Sequence, residues 1–168
     1  SIKKAKGKYL TFFMKSGLAK RVKVEEFSNI GSSGLICSKL RDNDTIVSCV
    51  VTSDKDNEDL FAVTKKGIGI RVSQSEVPDI LRPTYGSGFI KLDADDEVVS
   101  GLKIEKEFLF LLSNSGYGKR IEFSTFTNQQ RYGKGKMVIS FRDDKKEFLV
   151  QGVNANVDDE ALIVSRKN

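Results

Sequence analysis

The 168-residue sequence contains no histidine. That removes the commonest general base and the commonest zinc ligand, and with them any Ser-His-Asp or Cys-His nucleophile system. Proline is nearly absent, at two residues, so the chain is neither a Pro-rich linker nor a low-complexity segment. Cysteine is also sparse. Cys37 and Cys49 form no C-x-x-C pair and read as core-filling thiols of a reducing cytosol. No apolar run approaches the roughly 18 residues that a membrane span needs. The basic start "SIKKAKGK" lacks the apolar stretch of a signal peptide. Ser1 is not a natural initiator, so the sequence is expected to be a piece of a longer protein.

The composition is otherwise that of a globular domain, 39% hydrophobic and 30% charged. A chain of this length buries roughly 70% of its unfolded surface and needs no metal or disulfide staple. The net charge is +5, unevenly spread. Residues 1–35 carry eight Lys/Arg against two Asp/Glu, residues 36–107 ten against fourteen, and residues 108–153 eight against four. Basic blocks separated by an acidic one fit polyanion-binding surfaces as well as an ordinary solvated exterior.

A pattern recurs about every 50 residues. Gly17, Gly67 and Gly116 are followed in step by Arg21, Arg71 and Arg120. Each glycine follows an apolar run: "YLTFFM", "LFAVT" and "FLFLLS". Downstream come Glu26-Phe27, Glu76-Val77 and Thr125-Phe126, then the glycine loops "GSSG", "YGSG" and "YGKG". The unit continues into "KLRDND", "KLDADD" and "ISFRDD" and closes on an apolar pair such as Ile46-Val47 or Val98-Val99. Short runs rich in Val, Ile, Phe and Leu between Gly, Asn and Asp are strand signals, and no long 3.6-residue period is present. Four strands per period of about 50 residues predict an all-β, propeller-like fold. A β-sandwich with recurring strands is the other solution. The repeats are placed at about 9–57, 58–106 and 107–155, with "ALIVS" opening a partial fourth at 156–168.

These repeats resemble the C-terminal domain repeat of DNA gyrase A, across nearly the whole chain. The equivalent domain of topoisomerase IV, whose repeats are less regular, is the alternative that the same residues leave open. Residues 129–135, "QQRYGKG", match five of seven positions of that family's signature heptapeptide Gln-Arg-Arg-Gly-Gly-Lys-Gly, departing at Gln130 and Tyr132. The match falls in the third repeat and is similar to the degenerate form of a later blade. The resemblance implies a β-pinwheel, whose blades exchange outer strands. It implies a non-catalytic domain that binds and wraps double-stranded DNA, largely without regard to sequence, on its basic rim. It also implies remaining gyrase A and gyrase B subunits as partners in an A2B2 holoenzyme that introduces negative supercoils in the cytoplasm. The domain itself takes no cofactor; ATP and Mg²⁺ act elsewhere in the holoenzyme.

Duplex DNA is held mainly through phosphate neutralisation by Lys and Arg. The first Gly turns are expected to deliver Lys20 and Arg21, Arg71, and Lys119 and Arg120, with Lys15, Lys65 and Lys66 just before them. The second loops are expected to deliver Arg82, then Arg131, Lys134 and Lys136. Gly133 and Gly135 would let the backbone approach a phosphate, whereas Gly17, Gly67 and Gly116 read as turn glycines. The second repeat, with Ile70 in place of a lysine and Ser87 matched to Lys134, is expected to bind more weakly. The acidic turns at 42–44, 93–97 and 143–144 lack EF-hand spacing and read as solvated turns away from DNA. Phe12, Phe61, Phe108, Phe110 and Phe148 read as core in preference to base-stacking platforms. No catalytic residue and no metal ligand is assigned. A protein-interaction propeller is the competing class.

Overall fold

A computed structural model describes residues 8–54, 57–143 and 145–164. Asp144 and the end of the fourth repeat from Ser165 onward lie outside the described residues. Among the described residues, eleven strands form three antiparallel sheets. The first sheet holds β1 (Lys8–Met14), β2 (Leu18–Lys23) and β3 (Ile46–Ser53). The second holds β4 (Asp59–Thr64), β5 (Ile68–Ser73) and β7 (Val98–Lys103). The third holds β8 (Phe108–Ser113), β9 (Gly118–Glu122) and β11 (Leu149–Ala155).

The remaining strands do not stay with their own repeat. β6 (Ser87–Gly88) belongs by sequence to the second repeat but pairs with β2, giving the order β3-β1-β2-β6. β10 (Lys136–Met137), from the third repeat, pairs with β5 in the order β10-β5-β4-β7. The second and third glycine loops therefore cross to the preceding sheet, the exchange expected of a pinwheel. The third sheet has three strands, β11-β8-β9, not the expected four. Residues 161–164 form no strand, and Leu162 is 91% exposed. An isolated strand without a pairing partner is not stable in water.

β4 is buried from Leu60 to Thr64 because both of its faces are covered, as in sheets buried on two sides. Leu60 and Ala62 of β4 pack with Phe13, Ile70, Phe89 and Val98, between the first two sheets. Phe61 and Val63, on the opposite face, pack with Leu109, Leu111, Phe123 and Val138. Edge-on aromatic pairs close both layers, Phe13 with Phe89 at 5.1 Å and Phe61 with Phe123 at 5.4 Å. Phe12 and Phe61 are thus core residues. The thiols are not both core: Cys37 is half-buried, and Cys49 is exposed on the edge strand β3.

The turn glycines have left-handed backbones, φ +82° at Gly17, +85° at Gly67 and +84° at Gly116. Gly67 also sits against the Ile139 carbonyl of the exchanged segment, whereas a Cβ at Gly116 meets nothing. Gly116→Ala is expected to cost about 1–2 kcal/mol for the backbone alone, and Gly67→Ala distinctly more. Thermal unfolding of the two variants checks the ordering; equal losses would mean that the exchanged segment does not press on Gly67.

Candidate nucleic-acid interface

The cations of the first Gly turn are held between repeats. Lys20 is fully buried. Its ammonium donates to the carbonyls of Leu81, Arg82 and Thr84 in the next repeat, at 3.0, 2.7 and 3.0 Å. Burial pulls this ammonium below lysine's ordinary pKa, and Glu26 opposes that pull. Arg21 Nε donates to the Val77 carbonyl at 2.8 Å, and its guanidinium lies 4.7 Å from the centre of the Tyr9 ring. Arg71 pairs with Asp59 at 2.7 Å and donates through Nη1 to the Phe123 and Phe126 carbonyls, both at 3.1 Å. The Val77, Phe123 and Phe126 carbonyls all sit at the short 3-10 turn that follows the second strand of the next repeat. The cation that looked free to meet a phosphate is, in the first two repeats, a fastener to the next sheet.

Lys15 and Lys65 share Glu97, at 2.8 and 3.3 Å. Hydrogen bonding from Lys15, with Lys65 assisting, holds the Glu97 carboxyl below the ordinary carboxylate range. Lys66 Nζ donates to the Ala94 carbonyl at 2.6 Å, and its N–H donates to Asp96. The acidic turn at 93–97 therefore lies beside these lysines, not on an opposite face. Lys65 also stands over Phe148, and Arg120 over Phe108, so these half-buried rings meet cations.

The second loop divides into anchors and exposed charges. Arg82 N–H donates to Glu26, and its Nη1 to the Ile36 carbonyl at 3.2 Å. Arg131 repeats the arrangement, its N–H on Glu76 at 2.7 Å and its Nη1 on the Gly88 carbonyl at 2.9 Å. Both arginines anchor the loop to the preceding repeat, which is the task of the recurring glutamates. Lys134 and Lys136 are exposed. With Lys91, also exposed, they line a groove of about 200 Å³ that Asp93 and Asp96 enter.

Sequence reasoning missed Lys91 and its counterpart Lys39. Their signal was the recurring Lys-Leu pair at 39–40 and 91–92. Each donates its N–H to the crossing loop of the next repeat, Lys39 to Thr84 and Lys91 to Gly133, at 3.0 and 2.9 Å.

The strand register corrects the match between loops. Gly88 pairs with Leu18 and Met137 with Ile68, so Gly86 corresponds to Gly135, Arg82 to Arg131 and Ser87 to Lys136. Lys134 corresponds to Tyr85, two residues from the match that the glycines alone implied. Gly135 has φ +73° and lies against the Gly69 carbonyl. The Gly133 N–H is used by the Gln130 carbonyl at 3.1 Å. Both glycines therefore have structural work. Tyr132 holds φ +67° where the related heptapeptide has glycine, and its ring covers Gly88. Among the described residues, no group of three or more Cys, Asp or Glu side chains is placed to hold a metal ion, and no helix is long and apolar enough to cross a membrane.

Two outcomes follow from this geometry. Lys20→Ala leaves buried carbonyls without their donor and is expected to cost about 2–3 kcal/mol, against under about 0.5 kcal/mol for Lys134→Ala at the surface; chemical denaturation measures both. The depressed pKa of Glu97 contributes stability above the unfolded value of 4.5, lost as pH falls through the lower folded value. Glu97→Gln should therefore flatten the acid limb of a melting-temperature titration below about pH 4.5, and an unchanged limb would contradict the shared clamp.

The chain's likenesses to known proteins agree with this architecture. A family model described as "DNA gyrase C-terminal domain, beta-propeller" matches residues 9–53, 58–105 and 107–154. DNA gyrase A of Haloquadratum walsbyi is 29% identical over 163 residues, covering 95% of this chain and 19% of that protein. A solved DNA gyrase A C-terminal domain superposes with TM-score 0.80 at 27% identity, covering 90% of this chain and 50% of that one. The C-terminal domain of a DNA topoisomerase IV shares the fold, with TM-score 0.82 at 22% identity over 89% of this chain and 47% of its own. The chain thus spans about a fifth of the curated relative and half of the solved domains. With three successive matches covering most of its length, the chain belongs to the DNA gyrase C-terminal domain family.

Proposed function

We propose that this chain binds double-stranded DNA, largely without sequence preference, and wraps it as part of the C-terminal region of gyrase A. The observation that carries the reading is the grouping of Lys91, Lys134 and Lys136 on one groove, with Lys39 at the equivalent place one repeat earlier. A repeating scaffold that carries an exposed cation group at one crossing loop and a single exposed lysine at the preceding one suits phosphate contact along a bent duplex. The buried or paired cations of the first Gly turn (Lys20, Arg71, and Lys15 with Lys65) hold that scaffold together. Arg82 and Arg131 shape the loop from beneath, and Gly133 and Gly135 let it turn. In this reading the domain is non-catalytic. It serves an A2B2 holoenzyme in the cytoplasm, in which other domains carry strand passage and ATP use for negative supercoiling.

Duplex binding is expected to weaken steeply with salt. Lys134→Glu with Lys136→Glu should lower affinity about tenfold or more and reduce the log–log salt slope by about 2. Ligation of a nicked circle in the presence of the chain, followed by deproteinisation, should shift the linking number. Retention of DNA with unaltered topology would remove wrapping; indifference to the double substitution would remove the groove. No retention at moderate salt would favour a protein-interaction propeller.

A further inference from the structure

Two acidic side chains reach the lysine groove of the second seam, and they are not alike. Asp96 is engaged by the fold. Its carboxylate accepts the Lys66 N–H at 3.0 Å and the Glu97 N–H at 2.9 Å. Asp93 is exposed, and among the described residues no hydrogen bond or ion pair reaches its carboxylate. Lys91, Lys134 and Lys136 share the groove and likewise have no ion pair among the described residues.

The turn does not need the Asp93 carboxylate. The Asp96 N–H donates to the Asp93 carbonyl at 3.2 Å, and Asp95 between them is left-handed at φ +60°. The matched turn one repeat earlier is built in the same way. There the Asp44 N–H donates to the Arg41 carbonyl at 3.1 Å, and Asn43 has φ +63°. Arginine therefore serves the same corner. An aspartate that starts a turn commonly accepts a backbone N–H two residues on. Asp143 does so from Lys145 at 3.2 Å, and Asp93 does not. The third repeat also has arginine at this place. The Phe89 and Ile90 N–H groups donate to the Gly17 carbonyl as those of Val138 and Ile139 donate to Gly67, which aligns Asp93 with Arg142. Arg41 and Arg142 are both exposed. A carboxylate thus stands in the second repeat where its neighbours carry a cation.

The positions of Lys134 and Lys136 are taken by Tyr85 and Ser87 one seam earlier. Those of Lys91 and Asp93 are taken by Lys39 and Arg41. The first seam has two cations at these places, and the second has three cations and one carboxylate, a formal +2 at each. We propose that Asp93 is an attenuating residue, which weakens the hold of the second-seam groove on a DNA phosphate and keeps it level with that of the first. The proposal rests on the reading of this groove as a duplex contact. A free carboxylate beside a phosphate repels it, and through water that repulsion is comparable to the attraction of one lysine at the same distance. Like charges placed in an interface in this way tune binding without adding a contact. Level holds at successive seams let a bound duplex shift along the rim without one point retaining it.

Fluorescence anisotropy of a labelled duplex in EDTA, across a salt series, compares the chain with its variants. Asp93→Asn is expected to tighten binding about threefold. Asp93→Arg should tighten it about tenfold and steepen the log–log salt slope by about 1. Asp95→Asn removes a charge from the same turn outside the groove and should tighten binding by under about twofold. Asp93 and Asp95 are exposed, so melting curves of these variants should match the parent. Equal gains from Asp93→Asn and Asp95→Asn would assign the effect to net charge and overturn the proposal. Unchanged or weaker binding by Asp93→Asn would overturn it as well. So would tighter binding by the parent than by Asp93→Asn once millimolar Mg²⁺ is added, since Asp93 would then reach the phosphate through the ion. Lys134→Glu with Lys136→Glu tells the two readings apart. If that pair weakens binding while Asp93→Asn changes nothing, only the attenuating role falls. If it leaves binding intact, or if the parent retains no DNA, the groove falls and the attenuating role with it.

Discussion

The grip of Arg21 and Arg71 on the carbonyls of the next repeat is the interaction on which the architecture rests. Arg71 meets Asp59 of its own sheet and the Phe123 and Phe126 carbonyls of the next. Arg21 does the same with Val77. The acceptors are carbonyls at a short 3-10 turn, groups that a buried helix end must place somewhere. One guanidinium therefore supplies donors to a turn that would otherwise lack them, and fixes the angle between neighbouring sheets. The exchanged strand then lies on the edge so positioned, and at the left-handed Gly17 and Gly67 a carbonyl of the incoming segment also occupies the space a Cβ would need.

This arrangement divides the cations by role. Charges near the sheet edges are drawn into seams, where desolvation is offset by several hydrogen bonds each. Charges at the crests of the crossing loops, Lys134 and Lys136, and at the adjoining Lys91, stay in water. Exposure, not frequency of recurrence, separates a structural cation from one available to a polyanion. The recurring Glu26 and Glu76 fall on the structural side, since each accepts the backbone N–H that starts a crossing loop.

Much of the fold was legible in the sequence. The period shows in the glycines and arginines, and the doubly apolar strands show in "LFAVT" and "FLFLLS". The candidate site was less legible. Lys20, three residues after Gly17, and Lys134, between Gly133 and Gly135, are both lysines in basic, glycine-containing stretches, and only the carbonyls around Lys20 tell them apart. Those carbonyls belong to residues more than 60 positions away. The match between "YGSG" and "YGKG" also misled by two residues. Strand pairing aligns Gly86 with Gly135, and tyrosine stands by coincidence before a glycine in both loops. Lys91 went unnoticed because its Lys-Leu pair precedes a conspicuous acidic turn.

The central claim is that the seams join the sheets into one cooperative unit, so that a repeat does not open alone. Native-state hydrogen exchange of β1, β4 and β8 amides under rising denaturant tests it most directly. The account predicts that the opening free energies of the three strands merge on one common value. Separate plateaus, with β4 opening while β1 remains protected, would contradict it.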